Sequence, residues 1–232
     1  MGTLYIILGA SGVGKDFMAN NIVDYSENYK LPDGTNKKIT HVKRLLSRKE
    51  RKFENKIHSY SVPVDEICSP DNFYSSINGA YVGINKESLK ADLSSGKNMM
   101  FVTGSTDMID QLISDPDITD SLCLIYIPGP GYGMIDYFSL ELDRNKDKSL
   151  SELKQSAQAR YENSINVASY YQRNYDFFDY AMLNIPPKTG DRKTRELADQ
   201  LYKEFYKAII ANSHQDGPCW TANTNTNRRT RQ

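Results

Sequence analysis

A glycine-rich segment near the amino terminus has residue types and a spacing suited to holding phosphate. It follows the apolar run 4–8, which is long enough for a buried central strand, and apolar residues recur at helical spacing over 17–25. Its glycines permit a tight turn in which backbone N–H groups converge on an anion, and its lysine can reach the terminal phosphates of a nucleotide. We expect nucleotide phosphates to bind here, and the residues concerned are Gly9, Ala10, Ser11, Gly12, Val13, Gly14, Lys15 and Asp16.

The residue after the lysine departs from the usual pattern of such loops. That position is usually Ser or Thr, whose hydroxyl coordinates Mg²⁺, and here it is Asp16. A carboxylate can hold Mg²⁺ directly or through water, although it adds negative charge beside the phosphates. It can also simply lie at a helix N-terminus, where the helix dipole favours an acidic group. We expect Asp16 to be a metal ligand, with helix capping as the alternative.

The length, the charge balance and the cysteine content of the chain limit the class of protein to which it can belong. At 232 residues the chain is expected to form one domain with a substantial core. Lys plus Arg and Asp plus Glu number 29 each, so no overall field favours nucleic acid or a membrane as partner. No apolar run approaches the roughly eighteen residues of a membrane span, and we expect no signal peptide. The three cysteines show neither metal-ligand nor disulfide spacing, which favours the reducing cytoplasm.

Strand-like and helix-like segments alternate along the chain and predict an α/β fold. Strands are predicted over 4–8, 60–64, 99–102, 122–127 and 180–184, and helices over 17–25, 86–93, 108–113, 150–171 and 192–211. This alternation implies a central, mostly parallel sheet covered by helices on both faces. Ligands of such sheets bind beyond the carboxyl ends of the strands, where the glycine-rich loop lies. The polar segment 212–232 is expected to be a disordered tail.

Several motifs, in this order, resemble those of guanylate kinase and its relatives among the P-loop kinases. The loop 9–15 resembles that family's G-P-S-G-x-G-K, and 46–54 keeps the spacing of T-T-R-x-x-R-x-G-E with its following tyrosine. The resemblance implies that Arg48 and Arg51 bind the phosphate of an acceptor, with Tyr60 as hydroxyl partner. Two guanidiniums three residues apart can fork onto one phosphate and fix it for in-line attack. The alternative is a solvated basic face and a packing tyrosine.

The resemblance extends through the middle of the chain. Residues 81–89 are similar to Y-Y-G-T-S-K-E-A-V, which makes Tyr81 a further acceptor-binding candidate. Residues 143–160 resemble the mobile lid and the helix behind it, so that Arg144 and Arg160 would close over the transferring phosphate and exclude water. Exposed helix arginines are the alternative. The resemblance implies a three-layer P-loop NTPase fold over 1–211, with a small acceptor-binding insertion at 37–95 and a lid region at 129–160.

The positions that would read a base depart from the family. The guanine-reading glutamate is expected near Phe73, where the chain has Asp71 and Asn72, and the hydroxyl residue that also reads guanine is Ile84. A polar site that loses its carboxylate and hydroxyl loses much of its discrimination, so Asp71 or Asn72 could read a different base. Asp107 follows the second buried strand and is either a metal or acceptor ligand or a helix N-cap.

Together, the residues and the resemblance predict a cytoplasmic enzyme that uses ATP and Mg²⁺ to phosphorylate a nucleoside or deoxynucleoside monophosphate. If the source is a virus, the location is the host cytoplasm. Two alternatives stay open. The acceptor could be a sugar phosphate or a modified base in DNA, because the basic segment 37–56 would tolerate a nucleic acid, although a small-molecule partner is favoured. The chain could also be a non-catalytic nucleotide-binding module.

Overall fold

The computed structural model describes residues 1–48, 59–77, 79–129, 131–184, 192–211 and 220–222. The strands are β1 (Leu4–Gly9), β2 (Ile39–His41), β3 (Arg44–Leu46), β4 (Ser59–Ser61), β5 (Asn72–Ile77), β6 (Ala80–Asn85), β7 (Asn98–Thr103), β8 (Leu122–Ile127), β9 (Tyr180–Met182) and β10 (Trp220–Ala222). The helices are α1 (Lys15–Asn28), α2 (Val64–Ile67), α3 (Lys86–Ser94), α4 (Thr106–Ile113), α5 (Met134–Arg144), α6 (Leu150–Arg173) and α7 (Arg192–Ala211).

The larger sheet has β1 at its centre and the order β10-β9-β8-β1-β7-β2 in the described residues. Strands β2, β7, β1, β8 and β9 run parallel, and β10 is antiparallel to β9. Every residue of β1 and of β8 is buried, as their continuous apolar runs predict for strands covered on both faces. Because parallel strands end at the same edge, the loops that follow β1, β7, β8 and β9 meet there.

Helices cover both faces of this sheet and complete a three-layer α/β fold. Tyr5 and Ile7 of β1 pack with residues of α1 and α7, whereas Leu4, Ile6 and Leu8 pack with residues of α3, α4 and α6. This alternation follows from the two-residue period of a strand. The predicted fold class is confirmed. None of the helices in the described part of the chain is both long enough and apolar enough to span a membrane.

A smaller mixed sheet forms within the region that the sequence assigned to acceptor binding, with the order β4-β3-β6-β5. Strands β3 and β4 are parallel, and the β5–β6 hairpin is antiparallel. Ser47 continues the pairing of β3, because its N–H donates to Tyr81 O at 3.0 Å and its Oγ accepts from Tyr81 N at 2.8 Å. The end of β3 therefore lies beside the tip of the hairpin.

Several short strands escaped the sequence prediction. β2 has three residues and no apolar period of its own, and its strand conformation comes from pairing with β7. β5 and β6 carry Ser, Asn and Gly, and Asn72, the first residue of β5, belongs to a segment that reads as a turn in the sequence. Trp220–Ala222, in the tail that was expected to be disordered, pair with β9, because main-chain pairing with an edge strand requires no apolar pattern. The rest of 212–232 lies outside the described residues.

Candidate functional site

The glycine-rich loop joins the end of β1 to the start of α1 at the carboxyl edge of the larger sheet. Gly12 and Gly14 have φ values of 86° and 85°, in the left-handed region that favours glycine. Successive backbone N–H groups in such a loop form a concave nest that suits an anion, and the N-terminus of α1 adds its dipole. A Cβ at Gly9 would lie 2.7 Å from Ile127 O, so the loop also requires glycine where it passes the end of β8.

Two hydrogen-bonded side chains, one that follows β9 and one from α7, hold the second half of this loop. Asn184, which follows β9, donates from Nδ2 to Val13 O at 2.7 Å. Tyr202 of α7 donates its hydroxyl to Asn184 Oδ1 at 2.7 Å, and this hydrogen bond orients the amide. A Cβ at Gly14 would collide with Asn184 Nδ2, so the glycine and the asparagine require each other. Neither Asn184 nor Tyr202 was singled out from the sequence, since both lie about 170 or more residues from the loop.

The lysine and the aspartate of the loop lie at the first turn of α1. Lys15 donates from Nζ to Ala10 O at 2.7 Å, so the ammonium lies over the loop. Asp16 is exposed, and Gly14 is the N-cap residue without a side-chain hydrogen bond. The carboxylate is next to the lysine that would reach the phosphates, and the roles of both residues stay predictions.

The lid region packs directly against the loop. Tyr132 and Leu140 contact Gly12, because a Cβ there would lie 3.5 Å and 3.2 Å from their side chains. Helices α5 and α6 pack against each other as a hairpin, with α6 started by a capping box between Ser149 and Glu152. The N–H of Gly133 likewise donates to the carboxylate of Asp136 at 2.8 Å, at the start of α5.

Arg160 of α6 lies at the glycine-rich loop, as the lid resemblance led us to expect. Its side chain is buried, with 7 % of its surface exposed, and one terminal nitrogen donates to Ser11 Oγ. The alternative of an exposed helix arginine is therefore wrong. Arg144 is the last residue of α5, and its side chain is outside the described part of the structure.

Glu141 of α5 neutralises Arg160 and was missed in the sequence. Its carboxylate is fully buried, pairs with the Nε of Arg160, and accepts from Ser156 Oγ at 2.6 Å and Asn145 Nδ2 at 2.9 Å. Burial raises the pKa of Glu141, but the Ser156 hydrogen bond and the charge of Arg160 together bring this pKa below its ordinary value. Glu141 therefore stays ionised. In the sequence, only the helical spacing between Glu141 and the core-facing residues of its helix could have indicated that Glu141 is buried.

The smaller sheet approaches the loop through its hairpin tip. A Cβ at Gly104, after β7, would lie 3.5 Å from Gly9 O and 4.0 Å from Ile77 Cγ2. Ile77 is the last residue of β5, so the tip and the glycine-rich loop flank one cleft. Arg48 directly follows Ser47, at the same end of the smaller sheet. Arg51 lies outside the described residues, so the predicted arginine pair stays a prediction.

Ser75 of β5 is a candidate that sequence reasoning missed. Its side chain is only 5 % exposed, and Oγ has no hydrogen-bond partner among the described residues. Alternation along β5 puts Ser75 on the same face as Phe73, which belongs to the core of the larger sheet, and Ile77, which reaches Gly104. A buried hydroxyl without a partner, on the face that Ile77 extends toward the cleft, is a candidate for ligand binding.

The two predicted tyrosines lie on the other face of the smaller sheet. Tyr60 is opposite Leu45 in the β3–β4 register, and Tyr81 is two residues from Gly83 along β6. Leu45 pairs with Gly83, where a Cβ would lie 2.9 Å from Ile67 Cγ2 of α2. The structure does not bring these tyrosines to the face that carries Ser75. Their roles in acceptor binding stay predictions.

The candidate base-reading residues have polar partners of their own. Asn72 is buried and donates from Nδ2 to Glu66 O at 2.8 Å and Ile67 O at 3.2 Å. The side chain of Asp71 is exposed and accepts from Ser69 Oγ at 3.2 Å, and its main-chain oxygen accepts from the N–H of Lys86. Asn72 therefore joins the start of β5 to α2, Asp71 joins the segment before β5 to the start of α3, and a base would compete with these bonds.

The residues present fit a phosphate-bound magnesium ion better than an independent metal site. Within the described ranges, no three His, Cys, Asp or Glu side chains are grouped closely enough to hold a metal ion. Mg²⁺ beside a nucleotide needs only one or two carboxylates, since phosphates and water complete its coordination. Asp16 meets that requirement. Asp107 lies exposed in the first turn of α4, whose N-cap is Ser105, so the alternative that Asp107 caps this helix is wrong.

The fold is similar to that of guanylate kinase. The guanylate kinase from Anaplasma phagocytophilum superposes with a TM-score of 0.54 and 16% sequence identity, over 90% of this chain and 86% of that one. No protein-family model and no curated protein matches the sequence. At this identity the similarity is one of fold: five parallel strands and a small mixed sheet are arranged as in that kinase.

Proposed function

We propose that this protein is an ATP- and Mg²⁺-dependent phosphotransferase that moves the γ-phosphoryl group onto a nucleoside or deoxynucleoside monophosphate. The observation that carries the proposal is the glycine-rich loop, with its two left-handed glycines and Lys15, which faces the tip of a second, smaller sheet across a cleft. One wall can hold a polyphosphate and the other an acceptor. The similarity to guanylate kinase supports the same division of the cleft.

Phosphoryl transfer depends mainly on positioning and on stabilising charge, and the chain offers groups for both. The loop N–H groups and Lys15 hold the donor phosphates. Arg48 and Arg51 hold the acceptor in line with the transferring group. Arg160 approaches the loop from α6 and neutralises the negative charge that develops, with Arg144 as a second candidate. The α5–α6 hairpin covers the loop and excludes water, which would otherwise compete as acceptor.

Asp16 would hold Mg²⁺, directly or through water, beside the donor phosphates. When bound, the ion neutralises phosphate charge. The exposed carboxylate next to Lys15 suits this role because it can turn toward a bound triphosphate.

The test is ADP formation with each of the ribo- and deoxynucleoside monophosphates, compared between wild type and Lys15→Ala. We expect turnover with at least one acceptor, and a loss of about 10²–10³ in kcat for Lys15→Ala, the typical effect of removing one preorganised donor. Lys97→Ala is the matched control, since Lys97 is exposed and lies at the amino edge of the sheet. If no monophosphate is phosphorylated, the nucleotide-kinase proposal fails.

A second candidate keeps the chemistry and changes the acceptor to a sugar phosphate or a modified base in DNA. It is favoured by the acceptor wall, where Ile84 is buried and apolar and the amide of Asn72 is already bonded. Such a wall offers few polar groups that could discriminate between bases. A reaction with DNA whose rate falls steeply with salt would support the polymer acceptor, whereas a salt-independent reaction with a monophosphate would exclude it.

A further inference from the structure

Glu141 is fully buried, and each of its hydrogen-bond and ion-pair partners in the described structure lies on the α5–α6 hairpin. One oxygen pairs with Arg160 Nε, and the other accepts from Ser156 Oγ and Asn145 Nδ2. Ser156 and Arg160 are four residues apart and so lie on one face of α6. A carboxylate out of water requires such compensation, which explains why it attracts donors from both helices.

Arg160 connects this carboxylate to the glycine-rich loop. Its Nε faces Glu141, and its terminal nitrogen donates to Ser11 Oγ. A guanidinium is planar and its five N–H groups have a fixed geometry, so an ion pair at Nε also sets the direction of the terminal nitrogens. Without that ion pair the long side chain would sample several rotamers in the space between α6 and the loop.

We propose that Glu141 is a positioning residue, which orients the guanidinium of Arg160 so that its terminal nitrogens point at the phosphate loop. The part of this inference that concerns catalysis rests on the proposed phosphotransferase function. The orientation itself does not. Glu141 never touches the phosphates, because its carboxylate is enclosed by the hairpin, and it acts only through Arg160.

A purely structural role for Glu141 makes a different prediction. If the carboxylate only joined α5 to α6, its removal would lower stability, and a folded variant would still turn over normally. If it orients Arg160, a folded variant binds ATP nearly as well but stabilises the transferring group less. Measuring kcat and the KM for ATP separately therefore distinguishes the two roles.

The experiment compares Glu141→Gln with Glu152→Gln as matched control. Glu152 also belongs to the hairpin and accepts from Ser149 at the start of α6, but it is exposed and does not contact Arg160. At a temperature where unfolding curves show both variants folded, we expect kcat to fall about 10²-fold in Glu141→Gln, the size of effect known for a misplaced group. The KM for ATP should change little, and Glu152→Gln should retain the wild-type kcat.

The Arg160→Lys background tests whether Glu141 acts through the arginine. Lysine keeps the charge but has no Nε and no fork, so adding Glu141→Gln should reduce kcat little further. Fully multiplicative effects would overturn the proposal, as would an equal loss in Glu152→Gln. If Glu141→Gln does not fold, Ser156→Ala, which removes one donor to the carboxylate, should show a smaller loss of kcat in the same direction.

A readout independent of turnover separates this inference from the proposed function. The Nε–H proton of Arg160, measured by NMR in the absence of nucleotide, should exchange slowly with water in the wild type and in Glu152→Gln, and rapidly in Glu141→Gln. Slow exchange in all three overturns the positioning role. If the wild type phosphorylates no acceptor, the proposed function fails, and the exchange measurement still decides the orientation of Arg160.

Discussion

Buried polar side chains differ in whether the folded chain itself supplies their hydrogen-bond partners. This difference separates residues that stabilise the fold from residues that are candidates for ligand binding. The amide of Asn72 donates to two main-chain oxygens, so its burial needs no ligand. Ser75 is equally buried, and its hydroxyl has no partner in the described residues. An unsatisfied buried hydroxyl costs about 1–3 kcal/mol, a cost that an acceptor in the cleft would remove.

Replacing Ser75 by Ala should therefore affect stability and acceptor binding in opposite directions. The free energy of unfolding should stay constant or rise by about 1 kcal/mol, because an unsatisfied polar group is removed. The KM for the acceptor should rise about tenfold, the effect of losing one hydrogen bond of roughly 1.4 kcal/mol, with the KM for ATP unchanged. Urea denaturation and steady-state kinetics measure the two effects.

Ser76→Ala is the matched control for this prediction. Ser76 is the next residue of β5, is exposed, and lies on the opposite face of the strand. It should change neither quantity. A Ser75→Ala variant that is destabilised and keeps its acceptor KM would show that the hydroxyl serves the fold alone.

At the scale of elements, two sets of helices hold the glycine-rich loop from different sides. Helix α7 reaches it through Tyr202 and Asn184, and the α5–α6 hairpin reaches it through Arg160. Each connection is a short series of hydrogen bonds between elements distant in sequence. The loop conformation therefore depends on tertiary packing as well as on its own glycines.

Tyr202→Phe should weaken the hold of α7 on the loop. The variant keeps the ring but loses the hydroxyl that donates to Asn184 Oδ1, so unfolding should become easier by about 1 kcal/mol. The affinity for ATP should fall, because Asn184 is then free to turn away from Val13. Tyr206→Phe is the control, since the contacts of that hydroxyl are with Asn21 and, at 3.7 Å, with Met18 Sδ, both of α1. Calorimetric ATP titration of both variants makes the comparison, and equal affinities would contradict it.

The contribution of Glu141 to stability should depend on pH in a defined direction. Its pKa in the folded state lies below the ordinary value of 4.5, so its stabilising effect is fully present above pH 4.5 and is lost as the pH falls through the folded-state pKa. At neutral pH, Glu141→Gln should lower the free energy of unfolding by about 3 kcal/mol, the cost of breaking a buried ion pair.

Below pH 4.5 this difference between wild type and Glu141→Gln should shrink. Urea unfolding curves from neutral pH down into the acid range measure it. Glu152→Gln is again the control, and its effect should be smaller than that of Glu141→Gln at neutral pH, as for an exposed capping residue. A difference that grows as the pH is lowered would contradict the direction of the pKa shift.

At the scale of the whole molecule, the two sheets share a core through Phe73 and Ile84 and also approach each other at the cleft, where Ile77 lies near Gly104. A ligand that spans the cleft joins them and should stabilise the whole fold. At a free ATP concentration of 100 times its Kd, with Mg²⁺ present, the free energy of unfolding should rise by about 2.7 kcal/mol. Thermal unfolding with and without nucleotide measures this, and the increase should be absent in Lys15→Ala.

Removal of Mg²⁺ provides the complementary test. Without nucleotide, a chelator should leave the unfolding temperature unchanged, because the described residues include no cluster that would hold a metal by itself. With ATP present, the chelator should reduce the stabilisation, since Asp16 then lies beside phosphate charge that no cation neutralises. A drop in stability on chelation of the nucleotide-free protein would indicate a structural metal.

The sequence by itself determined the central strands and the loop. Long apolar runs such as 4–8 and 122–127 can only be buried, and the spacing of glycines and lysine in 9–15 is a local property of the chain. The long helix α6 was likewise predictable from its pattern, with Leu150 as its first residue. For these elements the information lies in neighbouring residues, which is why it can be read without coordinates.

Only the tertiary structure decided which distant residues complete the site. β2 is a strand because β7 is beside it, and Ser75 is buried because alternation along β5 puts it on the same face as Phe73 of the core. As a charged residue within a helix, Glu141 is of the type usually found on a helix surface. It is buried because Arg160 approaches from another helix. Burial and pairing are properties of packing between segments, and a buried charge or an unpartnered hydroxyl is defined only once those segments are in contact.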